Sequence, residues 1–259
     1  MKTRWLTTGI LCIIAVVIFL VGKINYNREI VTVPQQIESD IDTIAHENIL
    51  PCFREKTSAS RKLTDSLQLV NINDIDSTIL VDLKYATTDN FTGIVLYEGL
   101  EDACLQPDVA RMLAEAHQYL KKSHPGLRLL VYDAVRPLSV QRAMWEHVKD
   151  TRYHRYVAHP DRRSLHNYGA AVDLTLADSL GHPLDMGTSF DHFGRAAGIG
   201  NEQELVEQGL LNKQQVLNRQ LLREVMRYAG FRSISGEWWH FNACSLQEAK
   251  QRYTIIEDL

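Results

Sequence analysis

The sequence predicts an α+β fold, and three observations carry that expectation. Helical and strand-like segments cluster unevenly instead of alternating, which argues against a doubly wound sheet. The strand candidates are short, as in a small antiparallel sheet flanked by helices. The 259-residue chain, with 45% hydrophobic and 23% charged residues, suffices for one good core once its N-terminal part is set aside. A single catalytic domain over residues 67–259 is therefore expected.

The N-terminus stands apart. Lys2 and Arg4 precede an apolar run from Trp5 to Gly22, roughly 18 residues and long enough for a bilayer. No clear small-residue cleavage site follows it, and Cys12 lacks the small residue before it that a lipoprotein signal needs. Residues 1–27 therefore read as a signal-anchor, with a cleaved signal peptide as the alternative. Either reading sends the protein out of the cytoplasm to the cell envelope, on the periplasmic side, anchored or released after cleavage. Residues 28–66 read as a polar stalk.

The remaining elements follow from periodicity. Thr78 to Tyr85 reads as a strand, and the long Thr87 to Leu100 connection as a loop over the site. Pro107 to Lys122 is a helix with Val109, Met112, Leu113, Ala116 and Leu120 at helical spacing, started by Pro and stopped before His124-Pro125-Gly126. Leu127 to Tyr132 is a strand and Ser139 to Asp150 a second helix. Ala170 to Leu176 is a short buried strand. Lys213 to Ala229 is a third helix with Leu217, Leu221, Leu222 and Val225 inward and Gly230 at its end. His240 to Asn242 is the last strand.

Chemistry concentrates in two segments, Ser164-Leu165-His166-Asn167-Tyr168-Gly169-Ala170-Ala171-Val172-Asp173 and Glu237-Trp238-Trp239-His240. They supply two imidazoles and a carboxylate for a zinc ion, plus a second carboxylate to move a proton. Three protein ligands with an open fourth position mark a catalytic zinc. On one strand, His166 and Asp173 would point to opposite faces. On one helix they would lie roughly 10 Å apart. A turn at Asn167-Tyr168-Gly169 resolves this by folding His166 back over the strand that carries Asp173. Glu237 falls at a bend made by Ser235-Gly236, with the tryptophans as an apolar wall that raises its basicity. A carboxylate in that setting suits a general base at neutral pH.

Each residue also has a plainer reading. Single histidines are usually solvated or hydrogen-bonded, and His46, His117, His124, His147, His154, His159, His182 and His192 belong to that class. Asp173 alone is a buried ion-pair partner, and the tryptophans alone are core. Arg136 is equally a salt-bridging arginine paired with Asp133, and Asp191 equally a cap for a helix from His192 to Ala197.

The joint pattern resembles the zinc D-alanyl-D-alanine dipeptidases of the VanX type, within a wider group of cell-wall peptidases. Ser164, His166, Gly169, Ala171 and Asp173 follow the spacing that the wider group shares. Tyr85 to Gly93, Asp133 to Pro137, Asp173 to Leu176, Met186-Gly187-Thr188-Ser189-Phe190-Asp191 and Glu237 to His240 are similar to the dipeptidases in particular, and in the same order. The resemblance covers approximately residues 70–255. One departure is Asn167-Tyr168, where the family has Ser or another small residue after the histidine, and it bears on the pocket lip.

The resemblance implies one catalytic Zn2+ per chain, with His166, Asp173 and His240 as ligands. It implies Glu237 as catalytic base and Arg136 as the group that stabilises the oxyanion. Asp191 is implied to receive the substrate ammonium, and Ser164 and Tyr85 to line the substrate site. The implied reaction is hydrolysis of D-Ala-D-Ala to two D-Ala by a zinc-activated water.

The alternatives are a D,D-carboxypeptidase or L,D-peptidase acting on peptidoglycan stem peptides, and a zinc-containing binding module without catalysis. The expected partners are D-Ala-D-Ala or a related small peptide, and a membrane through the N-terminal apolar segment. A net charge of −4 and the lack of a basic, aromatic-interleaved cluster argue against nucleic acid. Cys52, Cys104 and Cys244 permit a disulfide in an oxidising compartment, and the sequence does not select a pair.

Overall fold

The computed structural model describes residues 57–258. The expected signal-anchor and most of the stalk, with Cys12 and Cys52, lie outside the described residues. Among the described residues no helix is long and apolar enough to cross a membrane.

The architecture is α+β. In chain order the elements are α1 (Ser58–Arg61), β1 (Val70–Asn71), α2 (Ile72–Ile75), β2 (Leu80–Val81), β3 (Cys104–Leu105) and α3 (Pro107–Ser123). Then follow β4 (Arg128–Asp133), α4 (Leu138–Val148), β5 (Ala171–Ala177), α5 (Glu202–Glu207), α6 (Lys213–Tyr228), β6 (Arg232–Ser233), β7 (His240–Asn242) and α7 (Leu246–Arg252). The main sheet runs β2-β4-β5-β7-β6, and β1 and β3 form a separate two-stranded ribbon.

The sheet is antiparallel except at one edge, where β2 pairs with β4 in parallel. That edge corrects the all-antiparallel expectation. The strand expected over Thr78 to Tyr85 is also shorter. After Val81 the chain leaves the ladder, and a 3-10 turn at Lys84–Ala86 drives Tyr85 inward.

β5 is central and buried along its whole length, as its apolar run requires. Val172, Leu174 and Leu176 alternate into the main core with Leu129 and Val131 of β4. Helices α3 and α6 pack against each other on that side, with Tyr119 stacked on Tyr228 at 4.1 Å. Leu130, Tyr132 and Ala177 form a smaller cluster of their own, to which Phe190 adds its ring. α3 begins at Pro107 with a fixed φ and no N–H to lose, and buries Val109, Leu113, Ala116 and Leu120.

Helix α6 departs from its expected inward face. Leu217 is 55% exposed, whereas Asn218, Arg219, Leu222, Val225 and Met226 are buried. The buried stripe includes two polar residues because they serve the neighbouring loops. Asn218 donates to the Asp185 carbonyl, and the fully buried Arg219 donates to the carbonyls of Met186, Ala196 and Gly198. A reading by hydrophobicity alone passes over both.

Register across the sheet sets up the site. Asp133 of β4 faces Asp173 of β5, and Asp173 faces His240 of β7. Directly opposed residues share a face, so these three side chains form a row. The row exists because β4 carries a bulge. Val131 pairs with Leu174 and Asp133 with Asp173, which leaves Tyr132 as the extra residue.

Candidate active site

His166 arrives at the row from outside the sheet. A 3-10 turn over Leu165–Tyr168 carries it, opened by a reciprocal cap. The Ser164 hydroxyl accepts from the His166 N–H at 3.4 Å, and the Asn167 side chain accepts from the Ser164 N–H at 2.8 Å. Gly169 ends the turn at φ +64°, and a Cβ there would lie 3.3 Å from the Gln106 backbone nitrogen. The Asn167 amide also donates to the Arg136 carbonyl, tying the turn to the end of β4. Asn167 is the point of departure from the family spacing, and here it serves as a brace inside the core.

The two imidazoles have their outer nitrogens committed. His166 donates from Nδ1 to the Ala134 carbonyl at 2.6 Å, and His240 donates from Nε2 to Asn242 Oδ1 at 2.8 Å. The inner nitrogens are thereby left as acceptors, both facing the Asp173 carboxylate. His166 Nε2 and His240 Nδ1 are 3.1 Å apart, and Asp173 Oδ1 lies 3.3 Å from the first and 2.9 Å from the second. Three lone-pair-bearing atoms at such distances repel unless a cation sits among them, either a metal ion or the proton that Asp173 draws onto His240.

The triangle matches one face of a zinc tetrahedron, whose edges are about 3.3 Å for bonds of about 2.0–2.1 Å. The His2Asp donor set therefore fits Zn2+, and all three donors line one cavity. Electrostatics agree. Burial disfavours the charged form of His240, yet its bond to Asp173 raises its pKa to about 9. Burial pushes Asp173 up, but His166 and His240 overcome it and hold the carboxyl well below the usual range.

Around the triad lies a cavity of about 300 Å3, lined also by Tyr85, Arg136, Ser164, Asp191, Glu237 and Trp239. The size is at the lower end for small-molecule sites. Every candidate residue singled out in the sequence thus lies on one cavity. Glu237 sits half-buried at the bend before β7 and makes no hydrogen bond or ion pair with a described residue. Burial raises its pKa, opposed by His240 and reinforced by Asp173.

The two tryptophans divide their work. Trp239 lines the cavity with its edge on Phe190, at a centroid distance of 5.4 Å. Trp238 turns behind it, where its Nε1 donates to Thr188 Oγ1 at 2.8 Å. The apolar wall is therefore one indole, braced by the other.

Arg136 combines both of its sequence readings. It forms the salt bridge with Asp133, with Nε at 3.0 Å and Nη2 at 2.6 Å, and it also reaches Asp173 at 3.5 Å. Nη1 donates to Gln141 Oε1, and the guanidinium lies 5.1 Å above the Tyr85 ring. Burial works against its charge, but Asp133 more than compensates and keeps it protonated. Asp133 is in turn held by the Tyr97 hydroxyl at 2.5 Å.

Asp191 caps no helix. It sits in a turn at φ +58°, where its Oδ1 accepts from the Tyr85 hydroxyl at 3.0 Å and its Oδ2 from the Phe91 N–H at 3.5 Å. Burial raises its pKa to about 8, against the Tyr85 bond and with repulsion from Asp173. Tyr85 is buried among Phe91, Tyr97 and Phe190.

Several contributors escape a sequence reading. Tyr97, Gln141 and the Ala134 carbonyl act through contacts that no local spacing announces. Asn242 had a signal, because a residue two places after His240 on one strand shares its face. Of the cysteines, Cys104 and Cys244 are buried and not bonded to one another. His117, the most enclosed histidine outside the site among the described residues, pairs with Asp76 at 3.0 Å.

Comparison with known proteins adds a lineage to this geometry. The peptidase M15 family model, described as D-ala-D-ala dipeptidase, matches residues 65–257. A D-alanyl-D-alanine dipeptidase of Escherichia coli K12 is 35% identical over 179 residues, 69% of this chain and 86% of its own length. One from Synechocystis is 33% identical over 56% of this chain and 71% of its own. One from Enterococcus faecalis is 29% identical over 62% and 83%.

Proposed function

This chain belongs to the M15 D-Ala-D-Ala dipeptidase family and is a metallopeptidase, and we propose that it hydrolyses D-Ala-D-Ala to two molecules of D-Ala. The observation that carries the proposal is the donor triangle of His166, Asp173 and His240, opening on the same small cavity as Glu237, which has no partner among the described residues.

His166, Asp173 and His240 would hold the metal. When bound, zinc supplies a Lewis acid that makes water a competent nucleophile near neutral pH. Glu237 takes the proton from that water and returns it to the departing amine. Its burial keeps it basic enough for both transfers. Arg136 stabilises negative charge on the attacked carbonyl oxygen. Its guanidinium has five N–H groups, and Asp133, Gln141 and Asp173 engage four of them. One, on Nη1, is left uncommitted on a side chain that lines the cavity. Asp191 receives the substrate ammonium, which favours the ionised carboxylate that burial otherwise opposes. Tyr85 orients Asp191, and Ser164 shapes the cavity wall beside the metal turn.

Catalysis belongs to residues 67–259 in this reading. The basic, apolar N-terminal sequence supports a place outside the cytoplasm, anchored or released. There the enzyme would recover D-Ala from wall fragments. Activity confined to a cytoplasmic fraction would defeat that location.

The test of the activity is hydrolysis of D-Ala-D-Ala beside L-Ala-L-Ala and a stem pentapeptide, by the zinc-loaded protein and its Glu237→Ala variant. Glu237-dependent cleavage of D-Ala-D-Ala alone supports the dipeptidase. Cleavage of the pentapeptide points to a carboxypeptidase, and no cleavage to a binding module.

A further inference from the structure

Two residues on the cavity hold a backbone conformation that L-amino acids avoid. Arg163 lies at φ +67° and Asp191 at φ +58°, and Gln68 is the one other non-glycine residue with positive φ among the described residues. The left-handed region costs roughly 1–2 kcal/mol for a residue with a Cβ. Such strain persists where surroundings over-determine it, often at ligand clamps. Here it falls on one cation and one anion that line the same cavity.

The two guanidinium groups of the cavity differ in availability. Arg136 is engaged by Asp133, Gln141 and Asp173. Arg163 is half-buried and uses Nη1 for the Pro160 carbonyl at 2.7 Å, with no carboxylate in ion-pair range among the described residues. Most of its donor fork is therefore uncommitted. Its position is also fixed relative to the metal turn, because it directly precedes the capping residue Ser164. A planar guanidinium with free, parallel N–H groups matches a carboxylate.

We propose that Arg163 binds the α-carboxylate of the dipeptide, so that the site selects a zwitterion with both ends free. The inference rests on the dipeptidase reading above, and it names the group that would exclude substrates whose C-terminus is blocked.

The experiment compares D-Ala-D-Ala with D-Ala-D-alaninamide for the zinc-loaded full chain, Arg163→Gly and Arg163→Lys. Glycine accepts φ +67° without strain, so Arg163→Gly removes the cation while easing the backbone. Zinc content and melting temperature check that the fold is kept.

The expected result is a loss of roughly 10- to 100-fold in kcat/KM on the free dipeptide, carried mainly by KM. The amide is turned over as by the unaltered protein, and Arg163→Lys recovers part of the loss. Equal losses on both substrates, or none on either, overturn the assignment. If the unaltered protein cleaves neither substrate, the dipeptidase reading itself falls. Cleavage of D-Ala-D-Ala with an unchanged preference in Arg163→Gly defeats the carboxylate role alone.

Discussion

Asp133 and Asp173 stand directly opposite each other on neighbouring strands, two buried carboxylates on one face of the sheet. Like charges so placed are destabilising. They coexist because Arg136 bridges them, at 2.6 Å to one and 3.5 Å to the other, while the two imidazoles attend Asp173.

Removing the bridge should damage stability and turnover together. Arg136→Met leaves the buried Asp133 carboxylate without its guanidinium partner, a loss of about 3–5 kcal/mol. Its kcat should fall by about 10²–10³. Arg136→Lys keeps the charge but not the fork, and should regain stability more than rate. Calorimetry and steady-state kinetics on both variants separate the two effects. A lysine variant with full kcat would remove the oxyanion role.

Glu237→Gln should behave in the opposite sense. Burial raises the carboxyl pKa in the fold, so between the unfolded and folded values the native state binds more proton than the unfolded chain does. That contribution to stability is present at low pH and lost as pH rises. The glutamine variant should therefore melt higher than the parent at pH 8, and hardly differ at pH 4. Its kcat should drop by about 10²–10⁴ with zinc content unchanged. Thermal melts at both pH values, with metal analysis, decide this.

Asp191→Asn carries the same sign with a defined window. Its pKa is about 8 in the fold, against about 3.9 in an unfolded chain. Between those values the folded state binds the extra proton, so the parent loses stability as pH climbs from 4 to 8. Asparagine tolerates the left-handed backbone, and its variant should show a flatter profile, more stable by a few kcal/mol at pH 8.5. Denaturant midpoints across that range test the slope. A raised KM for D-Ala-D-Ala should accompany it.

Asn242→Ala addresses the metal at one remove. Losing the acceptor for His240 Nε2 frees the ring to change tautomer and tilt, which should weaken zinc affinity about 10- to 100-fold. Competition against a chromogenic chelator measures it. Affinity equal to the parent's would show that Asp173 alone orients the ring.

Local pattern carried much of this architecture. The apolar run around Asp173 gives β5, the Pro-initiated periodicity of residues 107–122 gives α3, and Asn167 with Gly169 gives the turn beneath His166. What the pattern does not carry is pairing between distant segments. The parallel edge β2–β4, the two-residue β6 and the Tyr132 bulge arise from neighbours far along the chain. Leu217 shows the second limit. Hydrophobicity points it inward, but carbonyls left open by the 185–199 loop claim that position for Arg219. Arg163 shows a third, because neither its dihedral angle nor its free donors can be inferred from the letters around it.

The extra residue in β4 has a consequence for how this site can vary. Let β4 pair regularly, without the bulge at Tyr132, and its composition does not change at all while the strand stays in place. Yet regular pairing beyond Val131 and Leu174 would set Tyr132 opposite Asp173 and turn Asp133 to the far side. Arg136 would lose its anchor, and a phenol would stand where the anion was. The charge balance of the centre is thus kept by counting as much as by chemistry: the same strand paired one residue out spells the same words and builds a different machine.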